Sequence, residues 1–197
     1  GLNSRLSPFS TRWPAATLNH VLALGGDMET LDVKRGLIKN LSSEGGLAGV
    51  ARKYFDNVQG QGDTFSGSHG IMSKISGEYN GLGRLVVDVV NELPDFDDKE
   101  AMIAANQDRA MWNAFLEEAT GYTSKQRSDK SKEWVKKASK AKSGINQARS
   151  FMEMATNLSD EIKAEAESLI GEIEAALEAD DNTKAAGRAE KLGKLLG

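Results

Sequence analysis

The sequence predicts an all-α protein, a multi-helix bundle that ends in a heptad-patterned three-helix unit. Three observations predict it. Trp134, Ala138, Ala141, Ile145, Ala148, Met152 and Ala155 recur at spacings of four and three, and Ile162, Ala166, Leu169, Ile173 and Ala176 repeat the rhythm. Such spacing draws a narrow apolar seam along a helix, which must be buried against another helix, as in a coiled coil. No segment shows the two-residue alternation of a half-buried strand over a useful length.

The elements follow in order. Residues 1–13, with Pro8 and several hydroxyls, read as an extended N-terminal arm. Pro14 suits the first position of a helix carrying Leu18, Val21 and Leu22, because its missing N–H costs nothing there. Gly25-Gly26 end that helix, and Asp27 caps a second with Leu31, Leu37, Ile38 and Leu41. Ser43 caps a third with Leu47, Val50, Ala51, Tyr54, Phe55 and Val58. Residues 59–70 hold four glycines and read as a loop. Ile71, Ile75, Tyr79, Leu82, Val86, Val89 and Leu93 then line a helix of about six turns, stopped by Pro94. Gly77, Gly81 and Gly83 interrupt it, each at a cost of up to roughly 1 kcal/mol relative to alanine.

Asp97 with Glu100 has the capping-box spacing, and Gly121 is placed to end the helix that follows, with Ala101, Ala105, Trp112, Phe115, Leu116 and Ala119. Residues 123–132 are polar and charged, an interdomain linker or a frayed helix start. The heptad helix runs to about Asn157, Ser159 caps the next, and Asp181 or Asn182 caps the last, with Ala185, Ala189, Leu192 and Leu196 inward. The division is therefore an arm (1–13), a helical N-terminal unit (14–122), a linker (123–132) and a C-terminal three-helix unit (133–197).

Composition bounds the function. An apolar fraction of 39% over 197 residues supports an ordinary core. The absence of cysteine excludes disulfides, thiolate nucleophiles, cysteine-ligated zinc and iron–sulfur clusters. No run approaches the roughly 20 apolar residues of a membrane helix. These properties fit a soluble protein, intracellular or within a particle. The Gly1 start implies initiator removal, a protease scar or maturation cleavage, and Arg5 stands where a myristoylation signal needs Ser or Thr.

Catalytic and metal patterns are weak, and the residues assign no catalytic, cofactor or metal ligand. The glycine-rich loop lacks the lysine of a phosphate loop, since Ser68 follows Gly67, and no strand leads into it. Asp63, Ser66 and His69 are the residues to suspect there, although closeness in sequence is not triad geometry. Asp95-Phe96-Asp97-Asp98 starts like a calcium loop without its glycine and terminal glutamate. Neither His20 nor His69 follows a glutamate by three residues, as a di-iron bundle requires.

Charge asymmetry is the best electrostatic signal. Lys125, Arg127, Lys130, Lys132, Lys136, Lys137, Lys140 and Lys142 face only Asp129 and Glu133, a net +6. Between Asp160 and Asp181 nine carboxylates face only Lys163. The basic helix would pair with acidic helices of its own chain or another subunit, sit on phosphates with Trp134 stacking on a base, or be a plainly solvated face. The expected function is a non-enzymatic structural, assembly or interaction protein that presents helical surfaces to itself or to a protein partner, with a virion as one setting. Its interaction residues would be Trp134, Ile145, Met152, Lys136, Lys137 and Lys140. Two alternatives stand beside it: a nucleic-acid-associated protein using residues 125–142, and an enzyme or ligand binder at residues 59–70. No small molecule is indicated as a partner.

Overall fold

A computed structural model describes residues 27–197. The expectations for the 1–13 arm, the Pro14 helix and His20 fall outside the described residues. The fold is not the all-α helical bundle that the spacing predicts: it is mixed, with a five-stranded antiparallel sheet and six helices among the described residues. In chain order the elements are β1 (Asp27–Leu31), α1 (Leu37–Ser42), α2 (Gly46–Tyr54), β2 (Asn57–Gln59), β3 (Thr64–His69), β4 (Met72–Tyr79), β5 (Leu85–Asn91), α3 (Lys99–Thr120), α4 (Ser124–Met154), α5 (Asp160–Glu178) and α6 (Asn182–Leu196). The sheet order is β1-β5-β4-β3-β2, so β2 to β5 form a meander and β1 closes it by pairing with the last strand.

The six-turn helix expected from Ile71 to Leu93 is in fact the β4–β5 hairpin. Its turn is built by Asn80, whose Oδ1 accepts the N–H groups of Leu82 (2.9 Å) and Arg84 (3.0 Å). Gly83 supplies a left-handed residue there, at φ 70°. Along β5, Leu85, Val87 and Val89 are buried while Val86, Asp88 and Val90 point to the opposite face, half-buried. A register shift between Met72 and Lys74 puts Met72 and Ile75 on one face in spite of their odd separation. The glycine-rich stretch is likewise the end of β2, a turn and the whole of β3. Gly67 faces Asn57 so closely that no Cβ fits, and Gly70, at φ 52°, makes the tight turn into β4.

Helices α1, α2 and α3 cover the inner face of the sheet. Its core joins Leu31, Phe65, Met72, Ile75, Leu85, Val87 and Val89 to Leu41, Leu47, Val50 and Phe55 from one side and Phe115, Leu116 and Ala119 of α3. Phe115 is the hub, with ring centroids of Phe55, Phe65 and Trp112 at 5.1, 5.2 and 5.3 Å. Aromatic rings thus fill the space between sheet and helix. The first cap of α3 is Asp98, not Asp97: its side chain accepts from Glu100 and Ala101. Gly121 ends α3 at φ 75°.

Residues 124–132 form the first turns of α4, under a capping box in which Thr123 and Gln126 bond each other's backbone N–H. Helix α4 then runs unbroken for 31 residues, about 46 Å. Its second half packs with α5 and α6 around Ala141, Ile145, Ala148, Ala166, Leu169, Ile170, Ile173, Ala176, Ala185, Ala189 and Leu192. Helix α6 lies against both α4 and α5. Gly144 allows that approach, since a Cβ there would sit 3.1 Å from the methyl of Ala189. Among the described residues no helix is long and apolar enough to cross a membrane.

Candidate functional site

The helical arm made by α4, α5 and α6 meets the sheet domain along β1 and at the buried side chain of Arg84. Arg84, directly after the β4–β5 turn, is 6% exposed. Its Nε donates to Asp32 Oδ1 at 3.0 Å, and its guanidinium carbon lies 3.8 Å from the centre of the Trp134 ring. Burial lowers the Arg84 pKa, while the charges of Asp32 and Asp180 oppose that fall, so three elements share one buried cation. The α5–α6 turn completes the joint. Asp180 holds a left-handed backbone at φ 56°, Asn182 Nδ2 donates to the Trp134 carbonyl (3.0 Å), and Lys137 Nζ donates to Thr183 Oγ1 (3.3 Å). Lower on α4, Arg127 is buried and donates to the Tyr122 carbonyl at 2.8 Å.

The expected interaction residues therefore separate into three groups. Ile145 packs inside the three-helix core, and Met152, half-buried, packs against it. Trp134 belongs to the joint with the sheet domain, where the guanidinium on its face occupies the place a stacked base would take, and Lys137 bonds Thr183 of α6 beside it. Lys136 and Lys140 are exposed. With Lys125 and Lys132 they lie on the side of α4 opposite Trp134, because offsets of four and seven residues return to one face. None of these four lysines has an ion pair among the described residues. The cross-helix pairs are made by others: Arg149 with Glu174 at 2.8 Å, and Arg188 with Glu172 at 3.1 Å. The acidic helices of the same chain leave the lysine stripe unpaired.

The glycine-rich segment brings together different partners from those its sequence suggests. Asp63 and His69 flank opposite ends of β3, and Ser66 is exposed in its middle. His69 instead lies between Asp56 and Asp108. Its Nδ1 lies 3.2 Å from the Asp56 N and 3.3 Å from Asp56 Oδ2, and its Nε2 lies 3.5 Å from Asp108 Oδ1. The second Asp108 oxygen accepts the Ile71 N–H at 2.9 Å. The carboxylates address opposite ring nitrogens, so the three side chains do not converge on one point. This latch ties α2, the β3–β4 turn and α3 together. A second tie joins α2 to α3: Lys53 Nζ bonds Glu118 at 2.8 Å, and the hydrogen bond to Glu118, with burial behind it, pushes the Tyr54 hydroxyl up to about 12.

Residues that the spacing did not single out include Arg84 and Asp32. A further group surrounds the entry to α3: Leu93, Phe96 and Ile103 are 82%, 68% and 58% exposed among Glu92, Asp95, Asp97 and Glu100. Large apolar side chains in an acidic run were the available signal.

Residues 28–133 match a family described as a domain of unknown function, DUF5611. That span is more than half of the chain. The protein belongs to the DUF5611 family. Its family domain comprises the sheet, α1 to α3 and the first turns of α4, and stops one residue before Trp134. No curated protein and no solved structure matches the chain. Neither the DUF5611 match nor the fold supports the virion setting.

Proposed function

We propose that this DUF5611 protein is a non-enzymatic interaction protein whose sheet domain holds out a helical arm, and that the arm binds copies of the chain or a protein partner. The observation that carries this reading is the unpaired lysine stripe of α4. Lys125, Lys132, Lys136 and Lys140 project from a helix fixed at Trp134 by Arg84, so the stripe is held in a defined direction. A surface preorganised in this way loses little conformational freedom on docking. The aromatic packing around Phe115 supports the same reading, since the space between sheet and α3 is used for core.

The test is the mass of the intact chain by sedimentation velocity, at low and at physiological salt. The expected result is a concentration-dependent assembly that weakens as salt rises, because exposed charges are screened over roughly 8 Å at physiological ionic strength. A chain that stays monomeric at about 100 µM in low salt, a concentration that would populate weak complexes, overturns self-association.

A further inference from the structure

The lysine stripe has a complementary surface on the same chain. Glu92, Asp95, Asp97 and Glu100 are exposed where β5 passes into α3, around the exposed side chains of Leu93, Phe96 and Ile103. An apolar centre inside a charged rim is the composition of a protein-binding surface. The stripe carries the opposite sign. Lys132, Lys136 and Lys140 are spaced about 6 Å apart along the axis of α4, and Val135, 64% exposed, lies at the edge of the stripe, three residues from Lys132.

The two surfaces cannot meet within one molecule. Arg84, which holds Trp134, precedes β5, and Leu93 follows it, so roughly 20 Å of strand separates them. The stripe also points away from the sheet domain, since it is opposite Trp134 on α4. The other acidic surface, on α5, is a poorer match. Glu172 and Glu174 are already paired with Arg188 and Arg149, and no large apolar side chain of α5 is among the exposed ones.

We propose that the α4 lysine stripe of one copy docks on the acidic, apolar-centred surface around Phe96 of a second copy. This rests on the interaction reading above and names its surfaces. Because the two patches differ, the contact is heterologous, and each added copy leaves one free stripe and one free acceptor. Assembly should therefore proceed past the dimer, to a ring or an open series.

The experiment uses two charge-reversed full-length variants, Lys132→Glu/Lys136→Glu/Lys140→Glu and Glu92→Lys/Asp97→Lys, followed by sedimentation velocity in low salt. Each variant alone should associate at least about tenfold more weakly than the parent, because like charges then face each other. An equimolar mixture should recover assembly, since reversed stripe and reversed acceptor match again. Two variants that had failed to fold would not recover on mixing. Parent-like association of both variants overturns the proposal and removes the stripe from the interface, whereas a loss confined to the lysine variant overturns the proposal and leaves the stripe with a different acceptor. A monomeric parent overturns self-association, and this proposal with it, and leaves the interaction reading only the protein partner. If the parent instead binds a single-stranded oligonucleotide and the lysine variant does not, the stripe is a phosphate-binding surface and the proposal falls.

Discussion

The contact between Arg84 and Trp134 sets the direction of the helical arm, and its energy can be worked out. Arg84→Ala removes the bond to Asp32 and the stacked guanidinium. Breaking a fully buried ion pair costs about 3–5 kcal/mol. Asp32 keeps 25% of its side chain exposed and rehydrates in part, so about 2 kcal/mol is the better figure here. A largely desolvated cation over an indole adds about 1–2 kcal/mol. The total, about 3 kcal/mol, corresponds to a melting temperature lower by roughly 6–12 °C for a chain of this size. Arg84→Lys should fall between parent and alanine, since it keeps the charge and loses the plane and the Nε donor. A double-mutant cycle of Arg84→Ala and Trp134→Ala in urea isolates the ring contact, with an expected coupling of about 1 kcal/mol or more. Additive effects, with coupling below about 0.3 kcal/mol, would refute the idea that this stack holds the arm.

Other consequences are as direct. Ile145→Asp puts a charge at a position 6% exposed in the three-helix core and should cost several kcal/mol, melting the arm in a circular dichroism scan, whereas Lys142→Ala on the exposed side should melt like the parent. Gly77→Ala should destabilise by about 1–3 kcal/mol, because a Cβ there would lie 2.5 Å from the Phe65 ring; in a helix the same change would stabilise, so urea melts distinguish the two folds. Burial alone would raise the Glu118 pKa, but hydrogen bonds from Lys53 and Tyr54 outweigh it and leave it lowered. Its contribution is thus present above the ordinary value of 4.5 and lost as pH falls through the folded value, so the stability gap between parent and Glu118→Gln should close on acidification. Tyr54 has the opposite sign: with its pKa raised from 10.0 to about 12, stability it contributes below 10 is lost on the alkaline side, and Glu118→Gln should bring its ultraviolet titration to lower pH.

Why the sheet was hidden can be followed through one segment. Ile71, Ile75 and Tyr79 are four apart, and a spacing of four keeps one face both in a helix and in a strand. Only the spacings of three distinguish the two. Tyr79 to Leu82 falls across the turn, and Val86 to Val89 joins residues on opposite faces of β5. The bulge after Met72 adds another phase shift. In β5 the alternation is masked because valines occupy both faces, with Asp88 alone marking the outer one. Local chemistry held the missing information: Asn80-Gly81 beside a β-branched run is a hairpin signal, and Asn80 does build the turn. In the arm the heptad residues Ala141, Ile145 and Ala148 reach the interior and Met152 packs at its margin, because α4 has no bulge to reset the phase.

The candidate surfaces were legible to different degrees for an electrostatic reason. A block of like charge is visible in sequence, but whether it is paired depends on how the helices cross. Two carboxylates of the α5 block, Glu172 and Glu174, pair with arginines, and the stripe lysines Lys125, Lys132, Lys136 and Lys140 face away. The joint was not legible, because Arg84 and Trp134 are 50 residues apart and meet only once the hairpin places Arg84 beside α4. That meeting also shows which part depends on the other. Without the arm, the Arg84 guanidinium would regain water, which solvates it well, and the aromatic core around Phe115 would remain. Without the domain, α4 to α6 would rest on a core in which six of eleven buried side chains are alanine. A core that small gains little from burial, at about 25 cal/mol per Å² of apolar surface. The arm depends on the sheet domain for its orientation, and charge reversal on α4 should therefore change association while leaving the sheet domain's own unfolding unchanged.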